Sequence, residues 1–161
     1  MAEDDLTKAI QRLEELFGKP SEATLGAAVF QSQSALSVSQ LDEFAKAQYQ
    51  HFAGAAWESF GDENWNRPWK LLYRRPKSSP PDILTELNQL EDSATNLAAS
   101  QLTENHDDPS GAQEALKGVF DSDLIQEVSI YRIGDSEAIT GVLIAGIVDT
   151  GIGIALVFLM D

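Results

Sequence analysis

The sequence predicts an α+β fold: an N-terminal helical region followed by a C-terminal three-stranded antiparallel β-meander packed on helices. Three observations lead there. Apolar residues recur at helical spacing through most of the first 120 positions. From Leu124 the pattern changes to runs rich in β-branched and aromatic residues, separated by tight-turn sequences. Between these regimes lies the proline- and serine-rich stretch Arg74-Arg75-Pro76-Lys77-Ser78-Ser79-Pro80-Pro81. The expected organisation is a helical region over 1–73, a linker over 74–81, and a helix plus meander over 82–161. At 161 residues these parts suit one compact domain.

The first helix is expected over Asp4 to Phe17, where Leu6, Ile10, Leu13 and Phe17 share one face. Gly18 and Pro20 end it. The small-residue stretch from Ser21 to Leu36 reads as a second helix, weakened by Gly26 and its serines. Ser39 is placed to cap a third helix running to about Phe60, with Leu41, Phe44, Ala45, Phe52, Ala53 and Ala56 on its buried stripe. Asp82 opens a fourth, with Ile83, Leu87, Leu90, Ala94 and Leu97 on one face, fraying near Glu104. A turn cluster, His106 to Gly111, precedes a short helix over Ala112 to Val119.

Val128 to Ile133 is expected as a strand, turned by Gly134-Asp135-Ser136-Glu137. Ile139 to Val148 is a second, Asp149-Thr150-Gly151 a tight turn, and Ile152 to Met160 a third. Gly141 to Met160 is apolar enough to be weighed as a membrane anchor. Asp149 near its middle, its four glycines and the lack of a flanking basic cluster favour a buried hairpin. Strands apolar on both faces must be covered on both. Helices from the first 120 residues can cover one side, and the other needs more helix or a second copy. A homodimer built on the strand segment or on a helical face is expected.

There are no cysteines, which excludes disulfides and thiolate metal sites and fits a cytoplasmic protein. The acidic N-terminus matches neither a signal peptide nor a transit peptide. Eleven basic residues against 26 acidic ones give a net charge of −15, which repels nucleic acid and anionic membranes and attracts basic partners. No nucleic-acid or membrane partner is expected.

No catalytic constellation, cofactor loop or metal site emerges. Ile147-Val148-Asp149-Thr150-Gly151 looks like the aspartic-protease motif. That family's flap and downstream glycine strand do not follow in the ten residues after Gly151, and the carry-over fails. Gly146, Gly151 and Gly153 precede no helix and no Lys-Ser/Thr pair, so they read as hairpin glycines. Glu104-Asn105-His106-Asp107-Asp108 lacks the glycine-centred spacing of a calcium loop.

The most informative stretch is Trp65-Asn66-Arg67-Pro68-Trp69-Lys70-Leu71-Leu72-Tyr73-Arg74-Arg75. Residues 64–81 sum to +5 within a chain of −15. Trp, Tyr and Arg dominate interface hot spots, which makes Trp65, Arg67, Trp69, Lys70, Tyr73, Arg74 and Arg75 the candidate partner-binding residues. The alternative is internal: tryptophans plugging the core while arginines pair with the acidic remainder.

Tyr131-Arg132-Ile133-Gly134 with Glu137, then an apolar strand and Gly153-Ile154, resembles the C-terminal strands of the cyanobacterial nuclease A inhibitor family. The likeness covers about 30 of 161 residues. It departs at the end, where that family is polar and this chain reads Leu156-Val157-Phe158-Leu159-Met160. The resemblance implies a small acidic protein without catalytic activity.

The sequence is thus read as a non-catalytic acidic interaction module, an assembly factor, adaptor or regulator binding another protein. An inhibitor or immunity protein blocking a basic nuclease or toxin is the alternative, and an enzyme of unrecognised type the third.

Overall fold

The computed structural model describes residues 2–19, 25–135 and 138–160. Seven helices lie among them: α1 (Ala2–Phe17), α2 (Leu41–Ala53), α3 (Ala55–Phe60), α4 (Asp62–Asn66), α5 (Ile83–Asn88), α6 (Ser93–Leu102) and α7 (Pro109–Phe120). The strands are β1 (Gly26–Gln31), β2 (Lys70–Arg74), β3 (Ile125–Gly134), β4 (Thr140–Val148) and β5 (Gly153–Met160). They form one antiparallel sheet in the order β1-β5-β4-β3-β2.

The fold is α+β, but the expected architecture of a helical region followed by a three-stranded meander is corrected. The β3–β4–β5 meander is only the centre of a five-stranded sheet, and the N-terminal half contributes both flanking strands. The second predicted helix is the chief error. Gly26–Gln31 is a strand paired with β5, Gly26 opposite Leu159 and Gln31 opposite Ile154. Its residues alternate between two buried faces, so its sequence shows a continuous apolar run in which no period of two is visible. The earlier part of that predicted helix, 20–24, lies outside the described residues, as do positions 136 and 137 of the β3–β4 turn.

Two other predicted helices are broken. The third is interrupted at Gly54, whose φ of 54° and ψ of −125° suit a residue without a side chain and start α3 in a new direction. The fourth divides into α5 and α6, because Asp92 caps a fresh helix by accepting the Thr95 N–H at 2.9 Å. The Asn96 amide then ties α6 back to the carbonyls of Leu87 and Asn88. The buried face of α6 becomes Thr95, Ala98, Ala99 and Leu102, and the expected core residue Leu97 is 54% exposed.

The central strands organise the core. Val142, Ile144 and Val148 of β4, with Ile154 and Leu156 of β5, pack against α1, α5, α6 and α7. Leu143, Ala145 and Ile147, with Ala155, Val157 and Leu159, pack against α2, α3 and α4. The chain's own helices therefore cover both faces of the sheet. That removes the uncovered face on which the expectation of a second copy was founded. No helix among the described residues is long and apolar enough to cross a membrane.

The α2–α4 layer is aromatic. Trp57 and Trp65 stack at 5.7 Å, and Tyr49 meets both edge-on. Trp65 is fully buried, with its indole N–H on the Ala56 carbonyl at 3.1 Å. Trp65→Ala is expected to destabilise the fold by about 3–5 kcal/mol through the cavity it opens. A urea melt followed by circular dichroism measures this; a loss below about 1 kcal/mol contradicts the core role.

Candidate functional site at the open sheet edge

The sheet has two edges, and they are finished differently. At β1 the end of α1 bonds the outer side of the strand at one point. Gly18 (φ 106°) stops the helix with its N–H on the Glu14 carbonyl, and its own carbonyl accepts the Val29 N–H at 3.1 Å. Any side chain at Gly18 would place a Cβ 2.8 Å from the Ala27 carbonyl oxygen. Among the described residues, no strand lies beyond β2. A bulge between Leu71 and Tyr73 interrupts its pairing with β3.

The sequence does not reveal β2, which lies inside the tryptophan-basic segment. Pairing of that segment's arginines with acidic residues is the internal alternative it offers, without naming the partners. Arg75, just beyond β2, is the pin. Its guanidinium is 8% exposed and reaches both Glu86 carboxylate oxygens, the Phe120 carbonyl at 2.7 Å and Asp121 at 3.0 Å. Burial pushes the Asp121 carboxyl above its ordinary value, against the opposing pull of the Ile83 N–H and Arg75. Tyr73 donates to Glu86 at 2.7 Å. Burial, and then that carboxylate, push its phenol up to about 12. One signal could have revealed this cluster: Glu86 sits within the apolar stripe of α5 beside Ile83 and Leu87, where an acid needs a buried partner.

Arg74 points to the opposite face of the sheet. It meets Asp42 of α2 at 2.6 Å and Ser129 at 3.0 Å, and the Tyr131 hydroxyl donates to the same Asp42 oxygen. Burial pulls the Arg74 pKa down, but the Asp42 contact outweighs it and the net shift is upward. On β3, Arg132 donates to the Pro68 carbonyl at 2.9 Å and to Asp92 at 2.9 Å. Burial would raise the Asp92 carboxyl, but the Thr95 N–H and Arg132 together hold it below its usual range.

The candidate residues thus divide. Trp65 and Arg75 are buried and belong to the core and its ion-pair network. Trp69 is half-buried, stacked between Tyr49 at 5.7 Å and Tyr131 at 4.6 Å, with the Lys46 ammonium over its ring. Arg67 is exposed and pairs with Glu63 on its own helix turn. Lys70, Tyr73 and Arg74 lie on β2, and Lys70 and Tyr73 line a cleft of about 510 Å³. One wall is Lys70 to Tyr73; the other is Glu86, Gln89, Leu90, Glu91 and Asp92, from α5 and its connection to α6.

In the loop weighed as a cation site, His106 and Asp108 are committed elsewhere. The His106 Nε2 bonds the Leu16 carbonyl, its Nδ1 accepts the Asp108 N–H, and Asp108 caps α7. Among the described residues, no group of three or more His, Cys, Asp or Glu is placed to hold a metal. Asp149-Thr150-Gly151 is the β4–β5 turn, closed by the Gly151 N–H on the Val148 carbonyl.

Two predictions test the network. Arg75→Met leaves the buried Glu86 and the half-buried Asp121 without their cation and is expected to cost about 3–5 kcal/mol. Adding Glu86→Leu should restore part of that loss in the same denaturant melt, and no recovery contradicts the pairing. The depressed Asp92 carboxyl stabilises the fold above its unfolded value of about 4, and the contribution is lost as pH falls through the folded value. Arg132→Met therefore moves the acid-unfolding midpoint to higher pH, read by circular dichroism.

The segment resembling nuclease A inhibitors lies on β3 (Tyr131 to Gly134) and at the start of β5 (Gly153-Ile154). No family model, curated protein or solved structure matches this chain, so the functional reading stands on its geometry and charge.

Proposed function

We propose that this protein is a non-catalytic acidic interaction module that binds another protein through the edge at β2. The supporting observation is the combination of an open strand edge with a cleft of about 510 Å³ beside it. Such an edge offers backbone hydrogen-bond groups to a partner, and its short length, bulge and Lys70 guard it against indiscriminate pairing. Leu71 is 38% exposed at this edge, beside the half-buried Trp69 and Tyr73. This keeps Lys70, Tyr73 and Arg74 as contact residues, with Trp69 as the adjacent support. The cysteine-free composition favours the cytoplasm as the place of action.

A second reading is favoured by one observation, the net charge of −15: the module inhibits a basic nuclease or toxin by covering its cationic surface. The two readings separate by salt. A β2 contact keeps its apolar and backbone part at high salt and loses only its charge-dependent part, whereas an inhibitor held by charge alone loses affinity steeply.

Capture from native lysate with the immobilised chain, beside Leu71→Asp, tests the main reading. The variant changes an exposed edge residue and is expected to shift stability by less than about 0.5 kcal/mol. A partner retained by the parent chain and lost from the variant is the expected result. Capture that Leu71→Asp leaves unchanged overturns β2 as the docking edge.

A further inference from the structure

We infer that β2 accepts a sixth strand: a short extended segment of a cationic partner, with apolar residues at alternate positions and a Lys or Arg that meets Glu91. This rests on the interaction-module reading and adds to it the mode of contact and the chemistry of the ligand.

The ladder shows which backbone groups are on offer. The Arg75 N–H donates to the Val128 carbonyl at 2.9 Å, so Val128 turns its polar groups toward β2. In an antiparallel ladder the direction alternates, and Ile130 and Arg132 do the same while Ser129 and Tyr131 face β4. Arg74 and Leu71 lie opposite Ser129 and Tyr131. Their N–H and C=O groups therefore point to the open side. The bulge sets these positions three residues apart instead of two, which suits a short segment better than a long flat strand.

The cleft determines the side chains. Leu72, Tyr73 and Leu90 provide apolar surface, so every second residue of an added strand meets a nonpolar wall. The arginines nearby do not make the edge cationic, because Arg74, Arg75 and Arg132 each close on a carboxylate of this chain. Glu86 and Asp92 are the other halves of two of those pairs. That leaves Glu91 as the exposed carboxylate of the cleft with no ion-pair partner among the described residues, in a chain of net charge −15. The exposed Lys70 lines the same cleft and offsets Glu91 there. A cationic segment is therefore drawn by the net charge of −15 at long range, and meets Glu91 only where its basic residue lies away from Lys70. A second copy of this chain is disfavoured. It carries the same excess charge, and antiparallel self-pairing centred on the strand sets Lys70 against Arg74.

The test uses two blocked hexapeptides, alternating Val-Lys and alternating Val-Glu, titrated against the full chain with amide hydrogen exchange as the readout. The Val-Lys peptide is expected to bind saturably and to slow exchange at Leu71 and Arg74 by about tenfold or more, and the Val-Glu peptide to do neither. Glu91→Lys should weaken the Val-Lys peptide about fivefold, and Lys70→Glu should tighten it. Leu71→Pro removes an outward N–H and should abolish the protection. Should that variant fold poorly, the Glu91 and Lys70 variants decide. No binding up to about 1 mM, equal binding of both peptides, or binding without protection at Leu71 and Arg74 overturns strand addition. Partner capture sensitive to Leu71→Asp, with no response to either peptide, overturns strand addition alone. The converse pattern overturns the docking of a native partner at this edge and keeps the strand chemistry.

Discussion

Two-sided burial of the central strands is the constraint on which the rest of this structure depends. Along β4, Gly141 to Val148 are all buried, and the side chains alternate between two separate cores. A strand of this kind cannot lie against solvent on either face. The chain must supply a helical layer on each side, and it does so by placing α1, α5, α6 and α7 on one face and α2, α3 and α4 on the other. The path of the chain follows. β1 and β2 carry it between the layers, and each is added to an outer side of the meander.

The two layers are chemically unlike. The α1–α7 side is largely aliphatic, with Leu, Ile, Val and Ala in contact along the strands. The α2–α4 side is built around Tyr49, Trp57 and Trp65, large rings whose polar atoms are satisfied by nearby carbonyls or by Asp62. The Tyr49 hydroxyl also accepts the Gly134 N–H at 3.0 Å, linking α2 to the end of β3. Arg75 performs a comparable task on the aliphatic side, joining the end of β2 to α5 and to the end of α7. Deleting one member of such a buried pair costs far more than the pair itself contributes, because the remaining charge has no water to return to. These ion pairs also shape the surface at β2. Within a segment that sums to +5 in isolation, Arg74 is paired by Asp42 of α2, and Arg75 by Glu86 of α5 and by Asp121, while Lys70 stays exposed.

Several features could be read from residues alone. The amphipathic α1 was legible because Leu6, Ile10, Leu13 and Phe17 are separated by polar residues, and only one helical face is buried. The meander was legible because β-branched runs and turn sequences alternate within a short span. The reading failed where burial removes the contrast on which periodicity depends. In β1 both faces are apolar and two of the six residues are alanine, so helix and strand look alike. At β2 the strand is five residues long and bulged, and its Tyr and Arg side chains fit a surface as well as a seam. The tryptophan-basic segment was rightly marked as unusual, but composition does not show that Trp65 points inward while Lys70 points out.

The sequence by itself determined the class of secondary structure at both ends of the chain, the acidic surface and the cysteine-free chemistry. Each depends on local residue types or on their sum. Tertiary structure alone decided that five strands pair instead of three, and that the chain covers both faces of its own sheet. It also decided that Gly18 bonds the outer side of β1, while no strand among the described residues adds to β2. These outcomes depend on contacts between positions far apart in the chain: Gly26 with Leu159, Lys70 with Arg132, Arg75 with Asp121. No local pattern encodes such pairings, because the free energy that selects them comes from burying surfaces that meet only after the chain has closed on itself.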